Sequence, residues 1–557
     1  MGPDDASDVL AAPSRRAFIA GAIALATAAL AEAGPLAGRA AALPAGDLFP
    51  LGVASGDPTD DGVVLWTRLL APGGDPLPVT DVPVDWEVAT DAGFASVVAS
   101  GTAPAVAALA HSVHVEVDGL ASDAWFFYRF HADGRTSPVG RTRTFPGSGV
   151  MPSQVRFALA SCQNFNVGYY TAHAAIAAVA DLDLVVFVGD YVYEGGGNSG
   201  VRPFVLPTAT DVPTYRARYE HYKRDLDLQA SHHRAPWVIT MDDHEVANNV
   251  VGDLGPDGSQ AGNPAGIAAY RQRRADAFQV WYEHLPVRLP PPGGADYQLH
   301  RVVEHSDLLR FFVLDGRQYR SAYATGDTTS LAVDLPARHA DSQTMLGLDQ
   351  EAWLDGELAA TDARWNVLAQ QTVMTAMPVP VGPSIVFNYD QWDGYTAARR
   401  RLVQALVDHE VLNPMVVTGD IHLAGMSALR LDFDDPASPD VGHEVVGTSI
   451  SSTVNPAYLP LLQGALDAAP WIRYGKATAR GYALITVTPT QWTTEFVNVD
   501  ALVPQSAPVV DFTDVVEARV PVEPNEPTEP SEPNEPAVPT TPADPASPVP
   551  AEPTFTG

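Results

Sequence analysis

Four short hydrophobic runs in this sequence end in side chains that hold cations. Residues 155–160 lead through Ser161 to Cys162, Gln163 and Asn164. Residues 184–189 reach Asp190, with Tyr193 and Glu194 just beyond. Residues 237–241 end at Asp242, Asp243, His244 and Glu245, and residues 415–419 end at Asp420, with His422 two positions on. A single Asp after a strand says little, because Asp commonly starts turns and caps helices. A thiol, several carboxylates, a phenol and imidazoles at four separate strand ends describe a convergent metal site. Runs this uniformly apolar suit strands buried on both faces, and ligands bind beyond the carboxyl ends of such strands.

The elements that must position these groups are readable in outline. The runs 63–69, 84–90, 111–117 and 125–132 alternate with period two, as in Val113, Val115 and Val117 against His114 and Glu116, and Gly, Pro and Asp clusters separate them. This predicts an antiparallel β-sandwich before the site-bearing region. After Pro152 strands alternate with helices. Residues 264–284 read as a helix with Asn263 as its N-cap and Pro264 in its first turn, and 395–411 as another. The expected fold class is α/β: an N-terminal antiparallel β-sandwich, residues 43–148, followed by an α/β sandwich catalytic domain, residues 149–515.

Both ends read as something other than fold. Ser14-Arg15-Arg16-Ala17-Phe18-Ile19 precedes an Ala-rich apolar stretch and a small-residue cleavage site at Ala40-Ala41-Ala42. The pattern is a twin-arginine export signal over residues 1–42. The protein is therefore expected to meet the twin-arginine translocation machinery and to be secreted, periplasmic or cell-wall associated. The apolar stretch is shorter than the roughly 20 residues that span a bilayer, so no transmembrane anchor is expected in the mature chain. Residues 516–557 are rich in Pro and Glu with no basic residue after Arg519, which predicts a disordered tail.

Composition removes several alternatives. Asp and Glu total 67 against 33 Lys and Arg, a formal charge of −34, so a stable nucleic-acid partner or docking on anionic lipid is not expected. The single Cys rules out an intrachain disulfide and leaves the thiol available to a metal.

Taken together and in this order, SCQ at 161–163, GDYVYE at 189–194, DDHE at 242–245 and GDIH at 419–422 resemble the PhoD-type alkaline phosphatases. That group includes phospholipase D enzymes and belongs to the calcineurin-like metallophosphoesterases. FPLGVASGDP at 49–58, WTRL at 66–69 and LDGRQYRS at 314–321 extend the likeness. The resemblance implies one ferric ion (Fe3+) held by Cys162, Asp190, Tyr193 and His422. It also implies calcium (Ca2+) held by Asp190, Asp243 and Asp420, helped by Asp242 or Asn164, and His244 as the catalytic group donating to phosphate. The implied activity is alkaline phosphatase hydrolysis of phosphate monoesters or diesters by a metal-activated hydroxide. Calcium-stimulated phospholipase D-type cleavage of phospholipid head groups is the alternative within the family. A non-catalytic surface binding protein is the alternative outside it.

Each residue also has a plainer reading. A lone Cys is most often an inert buried thiol, and Tyr193 could simply pack. Arg317 could meet phosphate or form a structural salt bridge, and Gln371 could support the site from behind. Met345, Met374 and Met426 read as packing residues, and His232 and His233 as surface or loop groups.

Overall fold

In a computed structural model, residues 46–71, 73, 76–195, 200–255, 262–326 and 330–519 are described. The twin-arginine segment, and the Pro/Glu segment from residue 520 onward, lie outside them.

Two large sheets face each other. The first has nine strands in the order Val509–Glu517, Gln491–Asn498, Gly481–Val487, Val155–Ala160, Leu184–Phe187, Trp237–Ile239, Val53–Gly56, Val63–Arg68 and Ser112–Val117. The second has seven, in the order Arg301–His305, Leu309–Val313, Trp365–Ala369, Pro414–Thr418, Asp440–Val446, Ala424–Arg430 and Ile472–Lys476. Val155–Ala160, Leu184–Phe187 and Trp237–Ile239 run parallel in the first sheet, and Leu309–Val313, Trp365–Ala369 and Pro414–Thr418 in the second.

The uniform apolarity of these strands has a simple cause. Successive side chains point to opposite faces, and here both faces are covered. Phe157, Leu159, Leu184, Val186 and Val238 meet Val313, Val367, Met415 and Val417 in a core between the sheets. Their neighbours Ala158, Val185, Phe187, Trp237 and Ile239 turn outward into a second core. Helices Val212–Lys223 and Pro264–His284 contribute Tyr215, Tyr219, Phe278 and Trp281 to that outer layer. On the other sheet, Leu368 and Val416 pack against Leu354, Leu358, Leu402 and Leu406 of helices Leu348–Ala360 and Thr396–Asp408. The result is helices, sheet, sheet, helices. Met345, Met374 and Met426 are fully buried packing residues.

Helix Pro264–His284 starts where its signals place it: the Asn263 side chain accepts the Gly266 N–H at 3.2 Å, and Pro264 occupies the first turn. The helix expected over 395–411 is shorter, Thr396–Asp408, and Glu410 then adopts a positive φ of 51° that ends it.

The period-two strands form a sandwich with an unforeseen connection. A five-stranded sheet, Val82–Ala89, Val97–Ala105, Trp125–Ala132, Arg135–Thr136 and Gly140–Arg143, packs Val84, Val88, Phe126, Tyr128 and Phe130 against Val63, Leu65, Val113, Val115 and Val117. The strands carrying that second set belong to the nine-stranded sheet. Gly56 pairs with Trp237 in parallel, so the sandwich and the site-bearing strands share one continuous sheet. Alternation reports which face of a strand is buried, not which strand lies beside it, so the sequence could not show this. At the far edge, Val509–Glu517 extends two residues into the range read as tail.

His232 and His233 are not surface or loop groups. Both lie in helix Leu226–Arg234 against the outer face of the nine-stranded sheet. The His232 ring stacks on Trp237 with centroids 3.9 Å apart, and the His233 ring nitrogen accepts the Val53 N–H at 3.4 Å. A helix so short on the covering layer turns one His inward and the next toward the neighbouring strand.

Candidate metal centre

Parallel strands put their carboxyl ends on one side, and the sharp turns after them carry the chemistry. Cys162, Asp190, Asp420 and His422 all have positive φ, between 57° and 61°. This conformation is uncommon for residues other than Gly and persists where the surroundings over-determine it, typically at functional sites. The glycines before two of the Asp residues let the turns close. A Cβ on Gly189, whose φ is +111°, would overlap Asp242, and one on Gly419 would overlap the Ser161 side chain. We expect Gly189→Ala to cost about 3 kcal/mol, from backbone strain plus steric overlap, measured as a lower denaturation midpoint. An unchanged midpoint would show that the turn has slack.

Cys162, Asp190 and His422 offer ligand atoms within 4.8 Å of one another, as do Asp190, Asp243 and His244, and the four carboxylates of Asp190, Asp242, Asp243 and Asp420. Asp190 is common to all three groups. The Tyr193 hydroxyl donates to Asp190 Oδ2 at 2.8 Å, lies 3.0 Å from His422 Nε2, and accepts from the Ser452 hydroxyl at 2.8 Å. Its ring lies against that of His244, with centroids 4.1 Å apart. The structure thus gathers Cys162, Asp190, Tyr193, Asp242, Asp243, His244, Asp420 and His422 around one point. The Asn164 side chain accepts the Asn166 N–H at 3.3 Å to cap a short turn.

The electrostatics describe a cluster that lacks positive charge. Burial pushes the carboxyls of Asp190 and Asp242 well above their usual range and Asp420 up to about 6, with neighbouring Asp residues adding to it. Asp243, though buried, is held low by Arg317 and His244. Burial, then the charge of Asp190, pushes the Cys162 thiol and the Tyr193 phenol well up, and burial brings His422 down to about 4. Two carboxylate oxygens, Asp242 Oδ2 and Asp243 Oδ1, are buried without a hydrogen-bond donor. A buried, unpaired carboxylate oxygen is costly unless a cation meets it, so this donor set fits bound metal. Both Asp242 and Asp243 carry such an oxygen.

Arg317 is an ion-pair residue. It is fully buried, with Nε on Asp242 Oδ1, Nη1 on Asp390 at 2.9 Å and Nη2 3.2 Å from Asp420 Oδ1. Asp390 also accepts from Arg320 at 2.6 Å and from the Tyr323 hydroxyl, and these partners keep it ionised despite burial. Gln371 clips strand ends together. Its amide nitrogen, Nε2, gives hydrogen bonds to the Met241 and Leu314 carbonyls at 2.7 and 2.9 Å, and its Oε1 accepts from Gly316 at 2.9 Å.

Several contributors escaped the sequence reading. Glu245 accepts the main-chain N–H groups of Asp190, Tyr191 and Asp242 at 3.1, 2.6 and 2.9 Å, strapping two site loops to each other. Glu194 holds His244 Nδ1 at 2.6 Å. Both glutamates lie inside the quoted motifs, so the signal was present. Asp390, Gln391, which donates to Asp420, and Ser452 carried no local signal.

Comparison with known proteins gives the family. Residues 157–496 match the family described as PhoD-like phosphatase, and residues 36–146 match its N-terminal domain. Alkaline phosphatase D of Bacillus subtilis (strain 168) is 42% identical over 459 residues, covering 80% of this chain and 77% of that protein. A solved structure of PhoD superposes with a TM-score of 0.79 at 38% identity, covering 86% of this chain and 92% of that one. The chain belongs to the PhoD-like phosphatase family of phosphoric-ester hydrolases.

Proposed function

We propose that this phosphatase works with a ferric ion held by Cys162, Asp190, Tyr193 and His422, and with calcium held by Asp190, Asp242, Asp243 and Asp420. The observation that carries the reading is the convergence of these side chains on Asp190, with buried carboxylate oxygens that accept no hydrogen bond. Phenolate and carboxylate oxygens suit a hard trivalent ion, the thiolate adds negative charge, and a carboxylate cluster suits calcium. Such a pair of cations supplies polarisation of the phosphoryl oxygens and an activated water nucleophile at neutral to alkaline pH.

The protein's own groups do the rest. Ser452 and Asp190 hold the Tyr193 phenol in place, and Glu245 fixes the loops carrying Asp190 and Asp242. Arg317 neutralises one side of the acid cluster and orients Asp242 and Asp420. His244, its Nδ1 held by Glu194 at 2.6 Å and its ring against Tyr193, is placed beside the acid cluster to donate to the departing oxygen.

The substrates are phosphate monoesters and diesters. The twin-arginine pattern at 14–19 supports export, and no helix among the described residues is long and apolar enough to cross a membrane. The purified protein should contain iron and show a visible Tyr-to-iron charge-transfer band that Tyr193→Phe removes. A colourless, iron-free preparation that hydrolyses p-nitrophenyl phosphate at full rate would overturn the iron assignment. Assays of p-nitrophenyl phosphate, its bis ester and phosphatidylcholine, with and without added calcium, rank the substrate classes.

A further inference from the structure

We propose that His232, His233 and His284 form an acid-sensitive latch, which ties the helices behind the metal centre to strands Val53–Gly56 and Val63–Arg68 and to the loop after Asp190. Each ring presents Nε2 to a donor. His233 Nε2 accepts the Val53 N–H at 3.4 Å, and His284 Nε2 lies 2.7 Å from Arg68 Nη1, which can only donate. His284 Nδ1 lies 2.7 Å from the Val280 carbonyl and so carries the ring proton. The Tyr191 hydroxyl accepts from Lys223 Nζ at 3.3 Å, which leaves its own proton for His232 Nε2 at 2.8 Å. All three rings are therefore neutral in the closed structure, with the unprotonated nitrogen at the contact. A proton added to any of them sets donor against donor and charges a buried ring. His114 and His173 make the contrast. Their Nε2 atoms face oxygens, the Leu285 carbonyl at 3.0 Å and Gln163 Oε1 at 2.6 Å, so protonation breaks no hydrogen bond there.

The charged groups around the latch do not welcome a proton. Arg68 is paired with Glu220 at 2.8 Å, and Arg216 with Glu283 at 2.5 Å. Asp225 is taken up by Arg202 and by the first turn of helix Leu226–Arg234, and Glu245 by main-chain N–H groups. Lys223 lies 4.1 Å from the centre of the Trp66 ring, with no carboxylate in ion-pair range among the described residues. Burial lowers all three histidines, with Lys223 adding to it at His232 and His233 and Arg68 at His284, and His233 falls to about 4. An open, solvated His titrates near ~6.5. Between these values the open latch binds more protons than the closed one, so closure is held in full above about 6.5 and weakens as pH falls. The effect reaches the centre through Tyr191, whose N–H donates to Glu245 at 2.6 Å and whose carbonyl accepts from Gln163 at 2.7 Å.

Hydrogen exchange at the Val53 amide of the full chain, taken relative to its intrinsic rate at each pH, reads the opening. Between pH 6.5 and 5.5 each latch histidine should raise the opening constant about fivefold, and the three together at least about 10²-fold. Glutamine keeps an acceptor oxygen near the Nε2 position and takes up no proton in this range. His233→Gln alone should therefore remove about fivefold of the rise, and the triple variant His232→Gln, His233→Gln, His284→Gln about 10²-fold. The readout is the change with pH, so a variant that only packs less well shifts the opening constant equally at both pH values. The same share of the rise should be lost from metal-loaded and metal-stripped protein. An unchanged rise in either variant would overturn the latch. So would a share that vanishes on stripping, which would place the titration in the metal centre. Exchange at Val53 only together with the amides of strand Trp365–Ala369 would overturn it too, because the latch would have no opening of its own.

Discussion

An Asp190→Ala variant should bind neither cation and lose at least about 10⁴-fold in kcat/KM toward p-nitrophenyl phosphate. Asp190 is the one side chain present in every group of the site that could hold a cation. Its two oxygens also organise the protein around them, Oδ2 accepting from Tyr193 and Oδ1 from the His244 main chain. Removing the carboxylate would therefore take a ligand from each proposed metal position and release two of the groups that surround them. Cys162→Ala makes the informative contrast. Cys162 belongs to only one group, with Asp190 and His422, so its removal should strip iron and leave the acid cluster able to take calcium. Elemental analysis alongside the rate separates the cases. An Asp190→Ala protein that keeps its metal and its activity would show that the geometric convergence is incidental.

The site was more legible than the architecture around it, and the reason is physical. Each site residue follows an uninterrupted apolar run, and burial on both strand faces leaves that run without periodic polar positions. The end of the run is thus visible as an abrupt change to Asp, Tyr, His or Cys. Helix Pro264–His284 was legible for a similar local reason, since cap and first-turn proline adjoin in sequence. What failed to show depended on contacts between distant segments. The pairing of Gly56 with Trp237 joins segments about 180 residues apart and leaves no trace in either strand's composition. Asp390 looks like any loop acid until folding places Arg317, Arg320 and Tyr323 against it. His232 and His233 looked exposed because a short helix with several polar residues gives no strong stripe, although Trp237 and Val53 lie directly beneath.

Metal should stabilise the folded protein more at pH 8 than at pH 5.5, and the increment should grow steadily between them. In the metal-free protein, burial raises Asp190 and Asp242 well above the ordinary range, Asp420 to about 6 and Glu245 to about 7. Unfolded carboxyls ionise near ~4. Between these values the folded chain binds more protons than the unfolded one, so stability that these acids allow below about pH 4 is lost as pH rises through about 6 to 7. Bound cations reverse this at Asp190, Asp242 and Asp420 by holding those carboxylates ionised, which displaces their protons. Each proton so displaced is worth about 3 kcal/mol over two pH units. Buried histidines such as His173 and His305, both brought down to about 3 by burial, push the stability of either form the opposite way at acid pH. Because they lie outside the cluster, their effect cancels when loaded and stripped protein are compared at the same pH. The measurement is the difference in melting temperature between the two forms across pH 5.5–8. A difference that stays flat would mean the acids are already ionised without metal, satisfied by Arg317 and His244 alone. In that case the orphaned oxygens of Asp242 and Asp243 are not what draws a cation into the site.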